Sequence, residues 1–97
     1  MKECDMIELI NRRARQILVH SYLYYVVGSN IIEDYKFDAI CNWYIKTRDK
    51  YPKVMPKTVY HEELSGLTHA SGFDLKYPQE IINKAIYLRQ MMANKGE

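Results

Sequence analysis

From Cys4 to Val27, apolar residues stand at Ile7, Ile10, Ala14, Ile17, Leu18 and then Ser21 or Tyr25, recurring at spacings of three and four. That period matches the turn of an α-helix and calls for a long amphipathic helix with one face to bury. Gly28 closes it, because glycine takes the left-handed conformation at a helix end without a Cβ penalty. Asp34 can cap a second helix by accepting from the free amides of its first turn. This helix carries Phe37, Ile40, Cys41, Tyr44 and Ile45 inward and stops at Tyr51, since Pro52 disfavours helical geometry in the residue before it. The two form an antiparallel pair joined by a short loop, with Ile31 and Ile32 expected to tuck under it as an apolar clasp.

Pro52 to Thr58 holds two of the three prolines and reads as a connector lying along the surface. Val59 to Leu64 is expected to form a short helix closed by Gly66, and Phe73 and Leu75 to pin the following turn to the core. A last helix starts near Pro78, a residue favoured at the first helical position, and runs inward through Ile81, Ile82, Ala85, Ile86, Leu88 and Met92. The expected architecture over residues 1–97 is a single all-α domain. A helical hairpin (about 4–27 and 34–51) packs with a C-terminal helix (about 78–93) across a short irregular connector.

These 97 residues suffice for one modest core and are too few for a large nucleotide-transferring catalytic fold. With 47% hydrophobic and 27% charged residues the chain is unlike a disordered tail. A net charge of +2 does not by itself argue for nucleic acid. Cys4 and Cys41 are the only cysteines, and the N-terminus lacks a signal-peptide pattern. The expected setting is reducing and cytoplasmic, with no membrane association; the longest apolar or aromatic run, Tyr22 to Val27, is far too short to span a bilayer.

Nine tyrosines against two phenylalanines and one tryptophan are an excess, and three of them crowd into His20-Ser21-Tyr22-Leu23-Tyr24-Tyr25-Val26-Val27. Successive helical residues are about 100° apart, so at least one of these rings faces outward. Asp34 and Asp38, four apart, share a face of the second helix. These residues read either as a binding surface or as ordinary structure, with Tyr22 and Tyr25 in the core, Asp34 a cap and Asp38 solvated.

The block Tyr22-x-Tyr24-Tyr25-Val26, seven residues, then Asp34-x-x-Phe37-Asp38 resembles the N-terminal Ia domain of bacterial NAD-dependent DNA ligases, over about residues 10–52. Lys50-Tyr51-Pro52 is similar to the His/Tyr-Pro at the same place in that family. The resemblance implies a surface that closes over the nicotinamide mononucleotide half of NAD, with Tyr24, Tyr25, Asp34, Phe37 and Asp38 as contacts. A positively charged nicotinamide ring suits aromatic faces and carboxylates together, with cation–π attraction of roughly 0.5–2 kcal/mol. Phe37 departs from the family's usual tyrosine, which keeps stacking and loses a hydroxyl. In the ligases an adjoining adenylation domain completes the pocket, so weak affinity is expected here. Ser71-Gly72-Phe73-Asp74-Leu75 looks like short ligase-related proteins of phages, which implies a phage or prophage origin and a host protein as a partner.

Other motifs carry less. Lys36-Phe37-Asp38-Ala39 nearly spells a ligase Lys-x-Asp-Gly, but alanine replaces the glycine. His61-Glu62-Glu63-Leu64 begins like a zinc-protease helix, yet Ser65 stands where the second histidine must be. The histidines and cysteines show no recognised metal spacing. Arg12, Arg13 and Arg15 form one basic cluster, and Lys46, Arg48, Lys50, Lys53 and Lys57 another; each reads as a solvated face, or, if the two converge, as a contact for a phosphate backbone or an acidic protein surface. No nucleophile, base and orienter can be assigned, so the expected role is binding, not catalysis. A protein partner is the leading expectation, nicotinamide mononucleotide, NAD or a related nucleotide the alternative, and nucleic acid the third.

Overall fold

The long amphipathic face of the first segment becomes the centre of the core, with a helix against each side. A computed structural model describes residues 2–28, 33–67 and 75–95, with only the backbone described for Asp34 and for residues 92–95. Helix α1 spans Glu3–Tyr22 and buries Ile10, Ala14, Ile17, Leu18, Val19 and Ser21. Helix α2 spans Asp34–Lys50 and helix α3 spans Gln79–Lys95; α1 packs against both. No strand occurs among the described residues, so the all-α hairpin with a packed C-terminal helix is what forms.

The α1–α2 pair is antiparallel. Met6 and Leu9, early in α1, line a common groove with Thr47, Lys50 and Tyr51, late in α2. Midway along, the Arg13 guanidinium carbon lies 6.0 Å from the centre of the Trp43 ring. Helix α2 sends Cys41, Tyr44, Ile45 and Thr47 into the core, with Phe37 and Ile40 packed half-buried against it. It starts with Glu33 in the cap position, whose carbonyl accepts from the amides of Lys36 and Phe37, so Asp34 stands one residue inside the helix. It stops at Lys50, as Pro52 requires. Tyr51 leaves the helical region and gives its amide to the Thr47 carbonyl at 2.9 Å.

Helix α3 buries a narrow strip, Ile81 and Ala85, with Leu88 packed half-buried behind them. Ile86, expected inward, is 42% exposed. The reason is geometric: the helix buries one face against α1, and positions 81, 85 and 88 already fill it. The carbonyl of Pro78 accepts the amides of Ile81 and Ile82, which sets the start of α3 where the proline predicts.

The connector departs most from expectation. Residues 52–66 form successive turns around a short 3₁₀ segment, Met55–Lys57, rather than a helix over 59–64. Tyr60 explains this, because its φ of 64° is incompatible with helix and costs about 1–3 kcal/mol for a residue with a side chain. Nor does the segment simply lie on the surface, since Met55, Thr58, Leu64 and Leu67 are buried. Several polar ties hold it. The Val59 amide donates to Asn11 Oδ1 at 2.8 Å, Thr58 Oγ1 donates to the Met55 carbonyl at 2.6 Å, and Lys57 pairs with Glu3. Arg48 contributes most, its Nη1 donating to the carbonyls of Leu64 at 3.2 Å and Leu67 at 3.1 Å. Leu75, expected to pin the next turn, is buried; Phe73 and the Ile31-Ile32 clasp fall outside the described residues.

Removing Arg48 takes a charged donor from two carbonyls, of which that of Leu64 keeps the Leu67 amide. Arg48→Ala should therefore lower stability by on the order of 3 kcal/mol, read as a drop in denaturant midpoint. Arg48→Lys should recover only part of this, because a flexible ammonium is not held in place as the rigid guanidinium holds Nη1 between the two carbonyls.

Candidate functional site

The sequence-predicted contact residues lie where α1 ends and α2 begins, at the closed end of the hairpin. There the α1 ladder widens: Leu23–Val27 forms a π-helical turn, closed by Gly28 in the left-handed conformation (φ 77°), whose amide donates to the Leu23 carbonyl. A π turn carries more residues per revolution than an α turn and so changes which side chains face out. Leu23 drops into the core, while Tyr24, Tyr25 and Val26 are 46%, 42% and 57% exposed. Tyr25 therefore leaves the inward stripe on which its spacing from Ser21 would put it.

The rings are organised among themselves. Tyr24 and Tyr25 meet edge-to-face, with centroids 4.8 Å apart and planes at 80°. Tyr22, half-buried, makes a similar contact with Tyr77 just ahead of α3, at 5.3 Å and 76°. Such edge contacts contribute about 0.5–1.5 kcal/mol beyond burial and fix ring orientation. Across the hairpin, Tyr35 in the first turn of α2 is 66% exposed, with the Lys36 ammonium 6.0 Å from its ring centre. Asp38 is exposed and Phe37 half-buried against the core, so Phe37 serves packing as well as any contact. Asp34 occupies the same end of α2 by its backbone position alone.

Burial raises the pKa of one thiol and three tyrosine hydroxyls, at this end and beyond it. Burial, with the Asp38 carboxylate adding to it, pushes the Cys41 thiol up to about 12 and leaves it without thiolate reactivity. Burial raises Tyr77 to about 12, with Tyr25 close enough to add to the effect. Burial also raises Tyr44 to about 12, the Glu63 carboxylate adding to that and the Arg48 charge opposing it. Tyr60 is raised to about 12 by burial and by its hydrogen bond to Glu80, against the opposing influence of Arg15.

The three arginines of the first basic cluster do not share a face. Arg12 is exposed; Arg13 bonds to Gln16 Oε1 at 2.9 Å and leans over Trp43 toward α2; Arg15 lies against Tyr60 on the α3 side. The second cluster is also divided, with Arg48 turned into the connector and Lys57 paired with Glu3. Among the described residues no three histidine, cysteine or acidic side chains converge on a possible metal position. No helix there is long and apolar enough to cross a membrane. Sequence reasoning missed Tyr35, Tyr77 and Trp43 as members of exposed or paired aromatic contacts; the excess of tyrosines was the only signal, and it does not choose positions.

No family model, curated protein or solved structure matches this chain.

The raised tyrosines give a definite pH dependence. Each hydroxyl titrates near 10 when the chain is unfolded and near 12 in the folded state, so the folded form holds its protons longer. Their stabilising effect is complete below pH 10 and is lost as pH rises from 10 toward 12. Denaturant midpoints should fall over that interval. Tyr44→Phe, which removes a buried hydroxyl without a hydrogen-bond partner among the described residues, should leave neutral-pH stability intact and flatten the alkaline slope.

Proposed function

We propose that this chain is a small non-catalytic binding module whose hairpin end docks on a protein partner. The observation that carries the reading is the π turn, which turns Tyr24, Tyr25 and Val26 outward as three consecutive exposed residues, with exposed Tyr35 at the same end of the hairpin. π turns within helices are found frequently at functional sites. Exposed tyrosines supply large, stiff contact area with a polar tip, and tyrosine is prominent among residues that dominate binding energy. The resemblance to phage-encoded ligase-related proteins makes a host protein the partner. Inhibition of a host defence or DNA-processing system is the consequence such docking would have.

A nucleotide is the second reading, because Tyr24 and Asp38, both open to solvent, are two of the positions that the ligase-domain resemblance assigns to nicotinamide mononucleotide. The divided arginine cluster gives less support to a nucleic-acid role, which needs cations aligned along one surface.

Two experiments separate these readings. Tagged chain should retain one host protein from a bacterial lysate in the presence of added nucleotide, and Tyr24→Ala with Tyr35→Ala should weaken that complex at least thirtyfold, about 2 kcal/mol, without lowering the melting temperature. Unchanged retention by the double variant would sink the docking reading. If the site instead takes nicotinamide mononucleotide, ligand at 100 times its dissociation constant should add about 2.7 kcal/mol of stability, and Asp38→Ala should abolish that gain.

A further inference from the structure

Between α1 and α3 lies a groove of about 360 Å³ that shares no lining residue with the hairpin end. Its volume falls at the small end of the range for ligand pockets. The floor is aliphatic, formed by Val19, Ile81 and Leu88. The rim is charged, with Arg15 on the α1 side and Lys84 on the α3 side. Neither cation has a carboxylate within ion-pair distance among the described residues. The one acid on the rim, Glu80, accepts the hydroxyl proton of Tyr60, and Tyr60 is held there in its left-handed backbone conformation. His20 completes the wall, and burial lowers its pKa.

We propose that this groove binds a small amphipathic anion, an apolar body with one carboxylate or sulfonate, its body on Val19, Ile81 and Leu88 and its charge between Arg15 and Lys84. Charge complementarity selects the anion: two cations, Arg15 and Lys84, border an apolar floor against a single carboxylate, Glu80, so the rim carries a net positive charge. An apolar cation would meet two positive charges and only one carboxylate. The size of the groove favours a short alkyl chain or a fused-ring body over a protein segment. Arg15 thereby gains a role that its place in a three-arginine run does not suggest, since its neighbour Arg13 points to the opposite side of α1.

The test is a heteronuclear NMR titration of the full chain with decanoate, 2-naphthoate and decylamine, each below its micellar concentration. Saturable one-to-one shifts of the amides of Val19, His20, Ile81, Lys84 and Leu88 are expected with decanoate or naphthoate, and the stronger of the two identifies the body as chain or ring. Decylamine should bind at least tenfold more weakly. Arg15→Glu with Lys84→Glu should lower affinity for the anions at least tenfold, and Leu88→Trp, which fills the groove, should abolish binding. The proposal fails if neither anion gives saturable shifts, if decylamine binds equally well, or if the shifts map to the groove beside Trp43. The comparison of anions with decylamine uses the unaltered chain and decides the matter even if a variant does not fold.

Discussion

The fold depends on α1 being buried from both sides. A helix in a two-helix hairpin needs a single apolar stripe, whereas α1 carries a wider one, with Ile10, Ala14, Ile17, Leu18, Val19 and Ser21 all buried. The width is what lets α2 and α3 both lean on it. Each fully buried aliphatic residue contributes about 1.5–3 kcal/mol, and α1 supplies four of them, Ile10, Ile17, Leu18 and Val19, at the centre of the core. The two smallest buried positions, Ala14 and Ser21, leave room for close approach of its neighbours. Grooves remain along both flanks of α1, one toward α2 beside Trp43 and one toward α3 above Ile81.

What holds the outer segments differs in kind. Helices α2 and α3 are held by apolar packing, while the connector is held by a few directional polar ties: the Arg48 fork, the Asn11 side chain and the Thr58 hydroxyl. Turns cannot satisfy their own backbone groups as helices do, and a buried carbonyl without a donor is costly. Arg48 adds a charged donor to the Leu64 carbonyl, which also accepts the Leu67 amide, and to the Leu67 carbonyl. The same segment carries the strained backbone of Tyr60 to the rim of the α3-side groove, where Glu80 receives its hydroxyl.

The helices were legible because their signals are local and repeated. The period of three and four from Ile7 to Leu18, Gly28 as terminator, Pro52 as a stop and Pro78 as a start each act within a turn of their own position. Ile86 was misread as inward because periodicity shows how an apolar face repeats but not how wide a face the neighbours will cover. The sequence leaves Tyr25 open between the core and a binding surface for a different reason: the shift from α to π bonding is a change of one hydrogen-bond partner and leaves no mark in composition. The connector was least legible, since Arg48 reaches residues 16 and 19 positions away and Tyr60 meets Glu80 twenty positions on. At the hairpin end, a cluster of tyrosines and acids was visible in the sequence, whereas the choice of which rings face solvent was made by the π turn.

That turn also has a meaning for how such a surface can change over time. Because Leu23–Val27 holds a locally over-long turn closed by a single glycine, losing one residue there would restore ordinary helical phase and rotate every side chain between it and Gly28. The buried face from Ile10 to Ser21 would be untouched. A change of length, rather than a series of point substitutions, is thus the short route by which this scaffold could exchange one contact surface for another.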